Sequence, residues 1–164
     1  MRTRWFPWFL AAVFLGTTLT NWLILRGKDS GNQVQVENTT RDFLRALTNF
    51  GANTIDNDVQ QIRSFAVGDF ANEVQSTFSK ARIQQVKTNK VQSVGKVQSV
   101  FVEKLEGETA SVFAVVQETV DNNTIQSPRT DVLRIEVQLI DTHSGWKVNR
   151  VDILQSPGGI PSGG

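Results

Sequence analysis

The chain has 164 residues with no cysteine, no tyrosine and one histidine, which excludes disulfide frameworks, thiolate metal sites, cysteine nucleophiles and sites needing two imidazoles from one chain. Four of its 17 basic residues flank an apolar N-terminal stretch, whereas all 16 acidic residues lie at or after position 29. The remainder therefore has 13 basic and 16 acidic residues, a net charge of −3 that gives no indication of nucleic-acid binding.

Residues 5–25 are predicted to form a transmembrane helix. These 21 residues carry no charge, and a helix of that length spans roughly the 30 Å of a bilayer core. Trp5 and Trp8 lie near one end and Trp22 near the other, as interfacial aromatic anchors do. The apolar run ends at Arg26 without a small-residue cleavage site, which favours a retained anchor over the alternative, a cleaved signal peptide.

The charges around this anchor predict its orientation. The positive-inside bias places residues 1–4 in the cytoplasm and the bulk of the chain outside it, on the far side of the cell membrane. Residues 26–33 hold two glycines and mixed charges and are predicted to be a juxtamembrane linker. Inside the anchor, small and hydroxyl-bearing side chains are suited to helix packing in the membrane: Gly16, Thr17, Thr18 and Thr20.

Residues 34–155 are predicted to form one domain outside the membrane, in which the apolar period changes from helical to strand-like. Three short helices are expected first. The first ends at Gly51 as a C-cap, the second follows Thr54 as N-cap and closes at Gly68, and the third follows Asp69. Their apolar stripes are Phe43, Leu44, Leu47 and Phe50, then Ile55, Val59, Ile62 and Ala66, then Phe70, Val74, Phe78 and Ala81.

Four strands are predicted after the helices, at residues 91–103, 109–120, 133–139 and 146–154. The third is the clearest, because four apolar residues alternate with polar ones, as in a sheet covered on one side only. The sequence thus predicts an α+β fold, in which one N-terminal transmembrane helix precedes three helices packed on a four-stranded antiparallel sheet. Residues 156–164 are four glycines, two serines, two prolines and Ile160, and are predicted to be a disordered tail.

Two side chains are candidates for catalysis. His143 lies between Asp141 and Ser144 in a predicted turn, where no pocket would exclude water, so a structural role is favoured over a general base. Glu118 is the only charge in residues 112–120, and it would suit a general base only if it pointed into an apolar interior. Since no nucleophile, base and orienting group come together and the acids are spread singly, we expect no enzyme activity, no metal and no cofactor.

The most uneven charge lies in residues 80–96, here named the cationic segment, which contains five basic residues and no acidic one: Lys80, Arg82, Lys87, Lys90 and Lys96. It is a candidate surface for anionic lipid headgroups or for an acidic partner subunit. The alternative is an ordinary solvated face, in which basic residues near a helix C-terminus stabilise the helix by interacting with its dipole.

The order of anchor, helices and strands resembles the bitopic mammalian-cell-entry (Mce) associated membrane proteins, whose soluble domain is similar to the cone of nuclear transport factor 2 (NTF2). The resemblance covers residues 40–153 and rests on five short motifs: Thr40-Arg-Asp-Phe-Leu, Thr54-Ile-Asp-Asn-Asp-Val, Ala66-Val-Gly-Asp-Phe, Gln117-Glu-Thr-Val and Gly145-Trp-Lys-Val. It implies a cone-shaped domain and a non-enzymatic accessory or scaffolding subunit of an Mce-type lipid-import complex in the cell envelope. Its partners would be the membrane, Mce proteins and other envelope subunits, with self-association left open.

Two alternatives share this layout. One is the bitopic assembly factor of type IV secretion or conjugation machines, which also has a short cytoplasmic end, one helix and an external cone. The other is a cone-fold ligand-binding protein or isomerase, a class that usually places Asp, His or Tyr in its cavity. This chain has no tyrosine and has its histidine in a predicted turn, which weighs against the isomerase.

Overall fold

A computed structural model describes residues 31–155 of the chain. The predicted transmembrane helix at residues 5–25, with Gly16, Thr17 and Thr20, lies outside the described residues, as do the two ends at residues 1–4 and 156–164. No helix within residues 31–155 is both long enough and apolar enough to cross a bilayer. Within the described residues, 35–155 belong to one compact unit.

Four helices and five strands make up the described residues. Helix α1 comprises residues 31–48 and is followed by a short strand, β1 (Phe50–Gly51). Three further helices are α2 (Ile55–Phe65), α3 (Gly68–Thr77) and α4 (Lys80–Thr88). Four long strands complete the fold, namely β2 (Gln92–Glu106), β3 (Thr109–Asp121), β4 (Arg129–Thr142) and β5 (Gly145–Gln155). All five strands form one antiparallel sheet in the order of the sequence.

One face of the sheet carries the hydrophobic core. Strands β3 and β4 pair so that Val112 lies opposite Val137 and Ala114 opposite Ile135, and all four side chains are buried. The alternation predicted for β4 is therefore confirmed. Buried residues of α1, α2 and α3 pack on this face, among them Val36, Phe43, Leu44, Ile62, Phe70 and Val74. Helix α4 contributes no fully buried side chain. The α+β architecture follows from this two-layer burial.

The prediction that Gly51 caps the first helix is wrong. Helix α1 ends at Thr48, and Gly51 pairs with Gln92 of β2 in the two-residue strand β1. The N–H of Gly51 also donates to the Asp58 carboxylate across 3.1 Å. The Gly51 carbonyl accepts from the N–H of Thr54 across 3.0 Å, so both backbone groups of Gly51 are satisfied without a helix cap. A strand of two residues is too short for any apolar period to reveal it.

The boundaries of the other helices also differ from prediction. Thr54 precedes α2 as predicted, but its hydroxyl donates to Asp58 Oδ2 across 2.7 Å and makes no cap bond. Gly68 does not close α2, because α2 ends at Phe65 and Gly68 begins α3 with a φ of 56°. The third predicted helix is in fact two helices, because Ser79 accepts a hydrogen bond from the N–H of Arg82 and starts α4. The domain accordingly has four helices in its described residues, where three were predicted.

Candidate functional site

His143 lies in the tight turn between β4 and β5 and is exposed. The neighbouring hydroxyl of Thr142 donates to the Gly145 carbonyl across 2.7 Å and accepts from the N–H of Ser144 across 3.2 Å. These bonds fix the turn without using the imidazole. Within residues 31–155, no hydrogen bond joins His143 to Ser144 or Asp141, so the structure does not assemble the triad that the local sequence could have supplied.

Glu118 lies on β3 and faces the C-terminal end of α1. The buried Ser93 hydroxyl lies 2.6 Å from Glu118 Oε1 and 2.8 Å from the Thr48 carbonyl oxygen. Beside it, the Asn49 side chain bonds both the N–H and the carbonyl of Gly95, each across 3.2 Å. Glu118 thus belongs to a polar cluster that holds the end of α1 to the sheet.

Metal ligands do not converge in the described part of the chain. No group of three or more carboxylate or imidazole side chains within residues 31–155 is placed to hold a metal ion.

The cationic segment is spread over more than one surface. At 100° per residue, Lys80 and Lys87 fall on one side of α4, whereas Arg82 lies about 160° around the helix from Lys80. Lys87 Nζ pairs with Asp56 of α2 across 2.5 Å, although these residues are far apart in the sequence. Lys90 follows α4 and Lys96 lies on β2, both exposed. The structure therefore pairs Lys87 with an acid and places Lys80 and Arg82 on different sides of α4.

An apolar groove lies between α3 and β5 and has a volume of about 320 Å³. We name it the α3–β5 groove, and its apolar lining consists of Leu47, Phe70, Val74, Phe78, Val151 and Ile153. Glu73, Thr77 and Asp152 form its rim. Each lining residue comes from an element that the sequence predicted, but no sequence pattern indicated where the helical layer would leave the sheet uncovered.

A charge pair stands at the rim of the groove. Arg150 Nε lies 2.7 Å from Asp152 Oδ2, and Arg150 Nη2 lies 3.2 Å from Asp152 Oδ1. The hydrogen bond from Arg150 lowers the pKa of the Asp152 carboxyl below its ordinary value. Because the pKa of Asp152 is lower in the folded than in the unfolded state, the ion pair stabilises the folded domain at neutral pH. That stabilisation is lost as the pH falls through the lowered pKa. Both side chains are in contact with solvent, so the pair serves mainly to fix the rim.

Comparison with known proteins identifies the fold. No protein family and no curated protein matches the chain in sequence. Solved structures do match: VirB8 of Agrobacterium tumefaciens superposes with a TM-score of 0.62 at 11% identity, covering 77% of this chain and 93% of VirB8. CagV of Helicobacter pylori, a VirB8 homologue of the type IV secretion system, gives a TM-score of 0.57 at 15% identity, covering 74% and 99%.

A third similar structure is an NTF2-like protein with a cystatin-like fold from Novosphingobium aromaticivorans. Its TM-score is 0.56 at 12% identity, and the match covers 81% of this chain and 88% of that protein. The domain therefore has the NTF2-like cone fold that the sequence resemblance implied. None of these three structures is an Mce protein, so the likeness supports the cone fold and not the Mce part of the resemblance.

Proposed function

We propose that the chain is a membrane-anchored, non-enzymatic assembly subunit of an envelope machine of the type IV secretion or conjugation class. The observation that carries this proposal is the match to VirB8 and CagV over 93% and 99% of their chains, which extends to the whole cone. The Mce lipid-import interpretation rests on short sequence motifs alone. The layout of anchor and cone fits both classes, and the likeness in fold to VirB8 and CagV supports the secretion class.

Two properties of the described residues support assembly over catalysis. The candidate catalytic residues His143 and Glu118 lie in an exposed turn and in a helix-docking cluster. In contrast, large apolar side chains stand exposed on the sheet, including Phe101 and Ile153, each 57% exposed. Ile153 is continuous with the apolar lining of the α3–β5 groove, and contiguous exposed apolar surface is typical of sites that contact other proteins.

With the predicted anchor, weak contacts between the cone and its partner subunits would be sufficient for assembly. A single transmembrane helix confines the cone to the membrane plane beside its partners, which raises its effective concentration there. We propose that residues 1–4 lie in the cytoplasm, that the cone lies outside the cell membrane, and that other envelope subunits are its partners.

A complementation experiment tests the absence of a catalytic step. The double variant His143→Ala and Glu118→Gln should restore assembly of the envelope complex in a deletion strain to the wild-type extent, because there is no turnover to lose. The glutamine keeps an acceptor for Ser93, so the docking of α1 is preserved. Loss of function with an unchanged membrane level of the variant would overturn the proposal and favour the isomerase or ligand-binding alternative.

A further inference from the structure

The helical layer leaves the end of β5 uncovered. Ile153 lies opposite the buried Ile135 in the sheet, and it lines the α3–β5 groove together with core residues such as Phe70. Its side chain is nevertheless 57% exposed. The chain turns away after α3 at Phe78, which itself is only partly buried. The groove is thus an extension of the hydrophobic core that no described residue covers.

The backbone of β5 is also available beside this groove. Strand β5 is at the edge of the sheet, and in residues 31–155 its outer side is covered by a bridge between Ala66 and Val148. The N–H of Val67 adds one bond, to the carbonyl of Val148, across 2.9 Å. Beyond Val148, no described strand pairs with the outer side of β5. An open strand edge is a template to which another extended chain can pair.

The charge around the groove is acidic. Glu73 and Asp152 line the groove itself, and Asp69 lines the adjoining depression with both of them. Arg150 is the basic residue that lines this depression, and it is already bonded to Asp152 through two nitrogens. The rim therefore complements basic side chains and repels acidic ones.

We propose that the α3–β5 groove binds an extended segment of a partner subunit in which apolar residues alternate with lysine or arginine. The segment pairs with the outer edge of β5, its apolar side chains enter the groove, and its basic side chains meet Glu73 and Asp152. Alternation suits this site because successive side chains of an extended segment point to opposite sides: one set enters the groove, and the other stays at its mouth, where long lysine or arginine side chains reach the rim carboxylates. This inference rests on the proposed function, since an assembly subunit is expected to bind segments of other subunits.

Peptide binding to the full-length chain in phosphatidylcholine nanodiscs tests the proposal, because that lipid has no net charge to attract the probe. The probe is a fluorescent acetyl-KVKLKVK-amide peptide, and acetyl-EVELEVE-amide is its matched control. We expect the basic peptide to bind and the acidic one not to bind. Ile153→Asp and Glu73→Lys should each weaken binding about tenfold, the effect of losing one apolar or ionic contact. Glu103→Lys, an equal charge change on β2 away from the groove, should leave binding unchanged.

Several results would overturn the groove as the site for such a segment. These are equal binding of both peptides, no effect of Glu73→Lys, tighter peptide binding after deletion of residues 156–164, or dimerisation of the chain that Ile153→Asp abolishes. The last two would identify the C-terminal segment or a second copy as the occupant. Because Glu73 is exposed, its variant remains informative even if Ile153→Asp does not fold. The assay contains no secretion subunit, so its failure leaves the assembly function to its own test.

Discussion

Replacing Gly95 by alanine is expected to destabilise the domain by about 3 kcal/mol, the upper part of the range for overpacking a well-packed site. A Cβ atom at Gly95 would lie 1.9 Å from Thr48 Oγ1 and 2.4 Å from Thr48 Cβ. Thr48 cannot rotate away cheaply, because it is buried and its hydroxyl donates to the Leu44 carbonyl across 2.7 Å. Relief would require lifting the end of α1 from β2, which would break both bonds between Asn49 and Gly95.

Urea unfolding of the full-length chain in a non-ionic detergent, followed by circular dichroism, measures this loss. The matched control is Gly31→Ala, since nothing lies within 4 Å of the added Cβ and alanine favours a helix. Adding Thr48→Gly to the Gly95→Ala variant removes both clashing atoms and should recover part of the stability. Wild-type stability of Gly95→Ala would show that α1 does not dock on β2 at this point.

Phe43→Ala is expected to cost about 4 kcal/mol of unfolding free energy, as large truncations in cores do. Phe43 is fully buried in α1, and its ring packs edge-on against Phe65 and Phe70 with centroid distances of 6.0 and 5.5 Å. It thereby joins α1 to α2 and α3 over the sheet. Alanine would leave a cavity at the junction of all three helices.

The same unfolding measurement provides an internal comparison. Phe101→Ala removes an identical side chain from a position that is 57% exposed on β2, and it should change stability by about 0.5 kcal/mol or less. Phe43→Leu should fall between the two, because it keeps part of the buried volume. Equal losses for Phe43→Ala and Phe101→Ala would contradict the placement of the core on the helical side of the sheet.

Local patterns were sufficient to predict most of the architecture. The alternation through β4 depends only on which side of a strand each residue faces, and the stripes containing Phe43 and Ile62 depend only on helical spacing. The four apolar residues of β4 are buried as predicted, as are five residues of the stripes, namely Phe43, Leu44, Ile55, Val59 and Ile62. The other three stripe residues, Leu47, Phe50 and Ala66, are only half-buried, and Phe50 and Ala66 lie outside the helices. The anchor at residues 5–25 stays a prediction, because it lies outside the described residues.

The features that the sequence did not predict depend on contacts between residues that are distant in sequence. β1 exists because Phe50 and Gly51 pair with β2, and the Lys87 ion pair exists because α4 lies beside α2. The α3–β5 groove depends on where α3 ends relative to the end of β5, which neither apolar stripe encodes. Gly95 did offer a signal, because a glycine inside a predicted strand often marks the close approach of another backbone.

Two membrane-complex interpretations share the layout that the sequence predicts. The order of one anchor, helices and strands is shared by Mce-associated proteins and type IV assembly factors, so that layout favours neither, and only the five short motifs favoured the Mce interpretation. The likeness to VirB8 and CagV, at TM-scores of 0.62 and 0.57, shows the fold, and the type IV interpretation stays a proposal that rests on it.

Photo-crosslinking in native membranes tests the assembly function most directly. A photoreactive amino acid placed at position 101 or 153 replaces an exposed apolar residue on the sheet, so the domain should fold normally. The covalent partners are then identified by mass spectrometry, with the same photoreactive residue at the buried position 135 as the control. We predict crosslinks to subunits of a type IV secretion or conjugation machine. Crosslinks only to subunits of a lipid-import complex, or to no envelope subunit at all, would contradict the proposed function.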